Sequence, residues 1–247
     1  MHTSPDNLQA NERRPAPRRA PPRFCVVIPA YQESDRIHWV VRGVLSHCAD
    51  VVVVDDGSTD ATSEQARQAG AVVLRHELKR GKGAALATGF HYVIEQGFTA
   101  AVTLDGNGRH SPSDIPALVE AHLRTGTHVI VGNRMGSEDS LPLVRRWTNR
   151  LATAILNHRM GGYIPDSQCG FRFYCCDVFQ HVNVRSTGRS AESEMLLELS
   201  AHRYRVDSVP VEMSYGRDRS LLSPLRDALE FILMLRRQRR LHPRVRA

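Results

Sequence analysis

The chain has 247 residues, 41% hydrophobic and 24% charged, the proportions of an ordinary soluble globular protein rather than a disordered one. At roughly 150 residues per domain, this length predicts one large domain with extensions at its ends. No apolar run approaches the eighteen or so residues that span a bilayer, and the N-terminus is rich in Pro and Arg where a signal peptide needs an apolar segment, so secretion and membrane spanning are disfavoured.

The net charge of +7 is unevenly placed. Residues 1 to 23 carry +3 and residues 236 to 247 carry +6, which leaves −2 for the interior. A nucleic-acid partner is therefore not expected. The basic ends either dock on an anionic membrane surface or another polyanion, or remain solvated and keep the protein soluble. The five cysteines form an odd set with no CxxC pair, which suggests neither a disulfide framework nor a zinc module and fits a cytoplasmic location.

Residues 1 to 22, with five prolines, are expected to be a disordered tail. From Phe24 onward, β-branched runs alternate with helical patterns. Phe24-Ile28, Val51-Val54, Ala71-Leu74, Ala100-Leu104 and His128-Val131 read as buried strands. The segments at about 36–48, 61–69, 83–95 and 114–124 read as helices. The alternation predicts an α/β fold with a mostly parallel central sheet and helices on both faces.

Beyond residue 140 the pattern becomes a helix (141–160), a strand (171–175), a helix (192–203) and a strand (206–211). Ser223 and Pro224 then read as the cap and first turn of a final helix. That helix is amphipathic, suited either to core packing or to lying in a bilayer surface. The domain is thus expected over 23–222, with a C-terminal helix and basic tail over 223–247.

Ligands of open parallel sheets bind outside the carboxyl ends of the strands. The first strand is followed there by Pro29-Ala30-Tyr31-Gln32-Glu33, the second by Asp55-Asp56-Gly57-Ser58-Thr59-Asp60. The paired carboxylates suit either a base and ribose or turn formation and helix capping. Arg80-Gly81-Lys82-Gly83 allows close backbone approach, with Lys82 able to meet a phosphate. The fourth strand leads into Asp105-Gly106-Asn107-Gly108-Arg109-His110, whose alternate oxygens can face a diphosphate with or without a divalent ion.

VVIPAYQESDRI, VVVVDDGSTDAT, RGKGAALATGF and TLDGNGRHSPSDI, in this order, resemble the GT-A-fold family 2 glycosyltransferases, in particular the dolichol-phosphate mannose or glucose synthase-like branch. The resemblance continues through VGNRM, DSQCGFRFY and AESEMLLELSAHRYRVDSVPV to the Arg217–Ser220 segment. It implies a nucleotide-sugar donor, UDP- or GDP-linked, held by Pro29, Ala30, Tyr31, Glu33, Asp55, Asp56, Gly57, Lys82, Asp105 and Arg134. Arg145, Gln168, Arg172, Arg217 and Ser220 fall at positions for an acceptor or its phosphate.

The resemblance implies inverting transfer to a polyprenyl phosphate of dolichyl or undecaprenyl type, on the inner face of the membrane. Transfer to a soluble hydroxyl acceptor is the alternative. Such an acceptor would need a general base, for which Glu192 or Glu194 in Ala191-Glu192-Ser193-Glu194 is available, unless both simply begin a helix. A catalytically silent nucleotide-sugar binding protein is a second alternative.

Asp105 and Asn107 occupy the two acidic positions of the family's Asp-x-Asp motif, which faces Mg2+ or Mn2+. Asn107 brings no formal charge, and Arg109 stands where Gln is common. The expectation is reduced metal dependence, with Arg109 supplying positive charge to the diphosphate.

Overall fold

The structure is a computed structural model and describes residues 20–135, 143–182, 184–188, 190–213 and 224–241. Seven strands form one sheet: β1 (Phe24–Ala30), β2 (Val51–Asp55), β3 (Val72–Arg75), β4 (Ala100–Thr103), β5 (Val129–Asn133), β6 (Arg172–Cys175) and β7 (Val206–Pro210). Their spatial order is β3-β2-β1-β4-β6-β5-β7. Strand β6 runs antiparallel to both β4 and β5, and the other neighbours are parallel. The helices are α1 (Ile37–Leu45), α2 (Thr62–Gln68), α3 (Lys82–Glu95), α4 (Ile115–Thr125), α5 (Leu143–Met160), α6 (Ser190–Ala201) and α7 (Pro224–Leu241), with short 3-10 turns at Pro112–Asp114 and Cys176–His181. This is the α/β architecture that the alternating pattern predicts.

Burial explains the strand sequences. All of Val51–Asp55 is buried, as a central strand covered on both faces requires, and the run of valines packs well on a pleated surface. The third strand departs from expectation. It runs from Val72 rather than Ala71 and is only half-buried, because it lies at the sheet edge with β2 as its one strand neighbour among the described residues.

The second half holds a larger surprise. Helix α6 begins at Ser190, and every residue from Ser190 to Leu199 is buried, Glu192, Glu194 and Glu198 included. It lies beneath α5 and α7, where Leu156, Leu197, Met234 and Leu235 form a small core of their own. A helix enclosed on all sides shows no amphipathic stripe, so its sequence gives no hint of this depth. Helix α7 begins at the anticipated Pro224. It buries Met234, Leu235 and Gln238 and leaves Leu229, Ile232 and Leu233 exposed, so it joins the core on one face only. Most of the expected 1–22 tail, Ser223 and the final basic residues lie outside the described residues.

Close approach of α3 to the sheet depends on Gly89, where an added Cβ would overlap Val27 Cγ1 of β1. Gly89→Ala is expected to destabilise the fold by about 1–3 kcal/mol, because a buried β-branched neighbour cannot swing away. The midpoint of urea unfolding, with unchanged slope, measures it.

Candidate active site

The loops leaving β1 and β2 are stitched together. Asp56 N–H donates to Ala30 O (2.9 Å), Gln32 N–H to Ser58 Oγ (2.9 Å) and Glu33 N–H to Thr62 Oγ1 (2.9 Å). Gln32 adopts a left-handed φ of 58°. Gly57, at φ 77°, faces Leu78 and Lys79 so closely that a Cβ would lie 2.8 Å from their backbone atoms. Lys79 Nζ in turn sits 3.6 Å from the centre of the Tyr31 ring.

The two adjacent aspartates divide their work. Asp55 is fully buried and accepts from Ser58 N–H (2.9 Å) and the Ser63 hydroxyl. Its expected place among donor ligands is therefore corrected: the carboxylate closes the turn and ties down α2. Asp56 faces His76 Nδ1 (2.8 Å) and accepts from the backbone N–H groups of Arg80 (2.8 Å) and Gly81 (2.7 Å). It thus fixes the two residues that precede Lys82. Gly81, at φ 96°, permits the tight entry into α3.

Lys82, Asp105 and Glu192 then meet. Lys82 Nζ lies 2.6 Å from Asp105 Oδ1 and in contact with Glu192 Oε1. These residues come from the start of α3, the loop just after β4 and the first turn of α6. Burial alone would lower the Lys82 pKa, but the two carboxylates outweigh it and hold the ammonium charged. For Asp105, burial is outweighed by Lys82, His110 and Arg134, and its carboxyl titrates well below the ordinary range. Gly170 borders the same three residues: a Cβ there would lie 2.9 Å from Asp105 Oδ1 and 3.1 Å from Glu192 Oε1.

Three further groups flank the cluster. Arg134 binds Asp166 through two parallel bonds, Nε to Oδ2 (2.6 Å) and Nη2 to Oδ1 (2.8 Å), at 8% exposure. His110 is buried with Nε2 3.9 Å from Asp105 Oδ2 and Nδ1 without a hydrogen-bond partner. Burial pushes its pKa down to about 4, so the ring is neutral near pH 7. Glu33 is held above the usual carboxyl range by burial, partly offset by Arg36, and it senses the charges of Asp105 and Arg109.

The residues at the Asp-x-Asp position do not make a divalent-ion site by themselves. Asp105 Oδ1 is engaged by Lys82, and Asn107 Oδ1 accepts from Arg109 N–H (3.1 Å). Among the described residues no group of three or more His, Cys, Asp or Glu side chains is arranged to hold a metal ion. One carboxylate and one uncharged amide oxygen are a weak donor set for Mg2+ or Mn2+.

Of the other anticipated residues, Pro29 and Ala30 border Gly106, and Gln168 Nε2 donates to Ser193 Oγ (2.6 Å) beside Glu192. Arg172 is corrected: it is fully buried and donates to the carbonyls of Cys169 (2.6 Å), Glu192 (2.9 Å) and Ser167 (2.7 Å). It supports the site from below and is not open to an acceptor. Glu194 is also corrected. Its buried carboxylate accepts from the backbone N–H groups of Arg185 (2.9 Å) and Ser186 (2.7 Å) and from Arg237 Nη2 (2.6 Å), which leaves it no role as a base. Arg217, Ser220 and the side chain of Arg145 lie outside the described residues.

Sequence reasoning did not single out Asp166, His76 or His110. One available signal was angular. Residues two apart on a helix point roughly 200° apart, so Glu192 and Glu194 could not both face one site.

A seven-stranded, mostly parallel sheet that gathers a lysine, carboxylates and a bidentate arginine at one edge is the arrangement expected from the GT-A resemblance. Residues 25–182 match the family model Glycosyl transferase family 2, and the chain belongs to that family. It is 28% identical to the UDP-N-acetylglucosamine–dolichyl-phosphate N-acetylglucosaminyltransferase of Methanococcus voltae, covering 77% of this chain and 85% of that protein. Identity to the polyprenol monophosphomannose synthase of Mycolicibacterium smegmatis is 27%, over 87% of each chain. The fold matches glucosyl-3-phosphoglycerate synthase of Mycobacterium tuberculosis, in a complex with Mn2+, UDP-glucose and phosphoglyceric acid, with a TM-score of 0.70 at 21% identity over 88% of this chain and 79% of that one. The protein is a family 2 glycosyltransferase.

The His110 environment carries a sign that can be checked. Its ordinary pKa is 6.5 and its folded value about 4, so between these values the unfolded chain binds more protons than the folded one. Its contribution is therefore complete above pH 6.5 and is lost as pH falls toward 4, by on the order of 3 kcal/mol at most. Urea unfolding between pH 7 and pH 4.5 should show this decline, and His110→Gln should flatten it.

Proposed function

We propose that the protein transfers a hexosyl group from a nucleoside diphosphate sugar to a polyprenyl phosphate, with inversion. The observation that carries this reading is the Lys82–Asp105–Glu192 cluster at the carboxyl edge of the sheet, supported by relatives that act on dolichyl and polyprenyl phosphates. An oxygen of the acceptor phosphate bonds to the anomeric carbon while the bond from that carbon to the donor's β-phosphate oxygen breaks. The electron pair leaves with the nucleoside diphosphate.

In this reading Pro29, Ala30, Tyr31, Glu33 and the Asp56–Gly57 turn border the nucleoside. Lys82 and Arg109 stabilise the charge that grows on the leaving diphosphate. Arg134, oriented by Asp166, joins them at the donor phosphates, and Gln168 serves the acceptor side, to which the family resemblance also assigns Arg145, Arg217 and Ser220. A phosphate acceptor is already ionised near neutral pH and needs no strong base, which agrees with a site where Glu194 is sealed away. Were the acceptor a hydroxyl, Glu192 would be the glutamate of the AESE segment in reach. The work is done at the cytoplasmic face of the membrane that carries the lipid.

Because Asn107 brings no charge to the Asp-x-Asp position and Arg109 adds a cation beside it, a divalent ion contributes little. Exhaustive EDTA treatment is expected to leave at least about a third of the transfer rate, a barrier change below about 1 kcal/mol. Complete loss restored in full by Mn2+ would contradict the substitution of protein cations for metal. Asp105→Ala is expected to lower transfer at least a hundredfold through lost orientation of Lys82. Retention of donor binding with no transfer or hydrolysis above background in the wild-type protein would instead favour a silent binding protein.

A further inference from the structure

The positive charge of the chain is concentrated on two helices of its second half. Helices α5 and α7 together hold nine arginines against two acids, Asp227 and Glu230, a net +7 that equals the charge of the whole chain. Both helices lie over the buried α6: Leu156 of α5 and Met234 and Leu235 of α7 share one small core with Leu197, and Arg159 Nη1 donates to Leu235 O (3.3 Å). The faces they turn away from α6 mix polar with large apolar residues. On α5, Trp147 and Leu151 are 68% and 64% exposed, one turn apart. On α7, Leu229, Ile232 and Leu233 are exposed at i, i+3 and i+4, followed by exposed Arg236 and Arg239.

A surface helix of a globular protein ordinarily puts its apolar residues inward. Outward Trp, Leu and Ile beside the exposed Arg236 and Arg239 match a surface that is anionic outside and apolar a few ångströms deeper. We propose that the α5–α7 face docks on an anionic phospholipid bilayer, with Trp147, Leu151, Ile232 and Leu233 entering the headgroup boundary. This rests on the polyprenyl-phosphate reading, for which it supplies the means of reaching a lipid-borne acceptor. Among the described residues no helix is long and apolar enough to cross a membrane.

Co-sedimentation of the full chain with phosphatidylcholine vesicles, with and without one third phosphatidylglycerol, tests the docking. Binding is expected only to the anionic vesicles, with a loss of at least about tenfold in the Trp147→Ser/Leu233→Ser double variant and in Arg236→Glu/Arg239→Glu. All variants should melt as the wild type does and transfer sugar normally to a short-chain, water-soluble polyprenyl phosphate. Wild-type binding that ignores lipid charge, or variants that bind like the wild type, would overturn the docking proposal. Failure of transfer to any polyprenyl phosphate, with vesicle binding as described, would overturn the acceptor reading instead.

A separate set of contacts ties α7 to the donor site. Arg237 Nη2 bonds Glu194 Oε1 (2.6 Å) and Ser186 Oγ (2.9 Å), and Glu194 Oε2 accepts from Arg185 and Ser186 N–H. The next carbonyl, of Thr187, accepts the N–H of Lys82 (2.8 Å). Gly81 and Gly83 leave room for this strap, since a Cβ on either would overlap Thr187 or Ser186. The structure assigns Arg237 and Glu194 as positioning residues that seat the first turn of α3 and so aim the Lys82 ammonium at the diphosphate.

Arg237→Ala is expected to raise the donor KM at least about fivefold with little change in kcat, and Arg237→Lys to restore much of the affinity. Faster hydrogen exchange at residues 184–188 should accompany the alanine change. An unchanged KM, or a fall in kcat that merely follows the fraction of folded protein, would overturn the assignment.

Discussion

An ammonium group between two carboxylates holds three distant stretches of chain in one place. Lys82 begins α3, Asp105 lies two residues beyond β4 and Glu192 lies in the first turn of α6, and their side chains have no reason to approach unless the two halves of the molecule close correctly. Partly buried charges are costly to desolvate, and removing Lys82 would leave two neighbouring carboxylates uncompensated. The arrangement therefore commits the loops at the sheet edge to one geometry. A donor diphosphate entering there would meet a cation already aligned by neighbours on either side, with little reorganisation left to the reaction itself.

The surrounding contacts read as support for that cation. Asp56 fixes the loop before Lys82, the strap at 185–187 fixes the first turn after it, and buried Arg172 gathers the carbonyls of Ser167, Cys169 and Glu192 under the site. Arg134 and Asp166 form a closed pair beside it. Polar groups buried at this density are kept only when each finds a partner. The orphaned Nδ1 of His110 is accordingly notable, because it lies next to Asp105 where chemistry is expected.

Much of the first half was legible in sequence. The valine runs, the turn chemistry of Asp55-Asp56-Gly57 and the glycines around Lys82 are local signals, and the parallel strands place them together by topology alone. Glu192 and Glu194 show where that legibility ends. Both stand at the start of one helix, and only the packing of α7 decides that one reaches Lys82 while the other is sealed against Arg237. Arg172 was misjudged for the same reason. An arginine at a strand start looks like a ligand for phosphate until the carbonyls that surround it are known. The edge placement of β3 and the full burial of α6 likewise follow from tertiary neighbours, which no window of sequence contains.

In the proposed reaction Lys82 is the resident counter-charge for the donor diphosphate. Calorimetric titration in EDTA, comparing whichever of UDP and GDP binds better with its parent nucleoside, addresses it directly in the wild type and in Lys82→Met. The variant is expected to lose at least about tenfold in affinity for the diphosphate while binding the nucleoside unchanged. Equal affinity of both proteins for the diphosphate would contradict it.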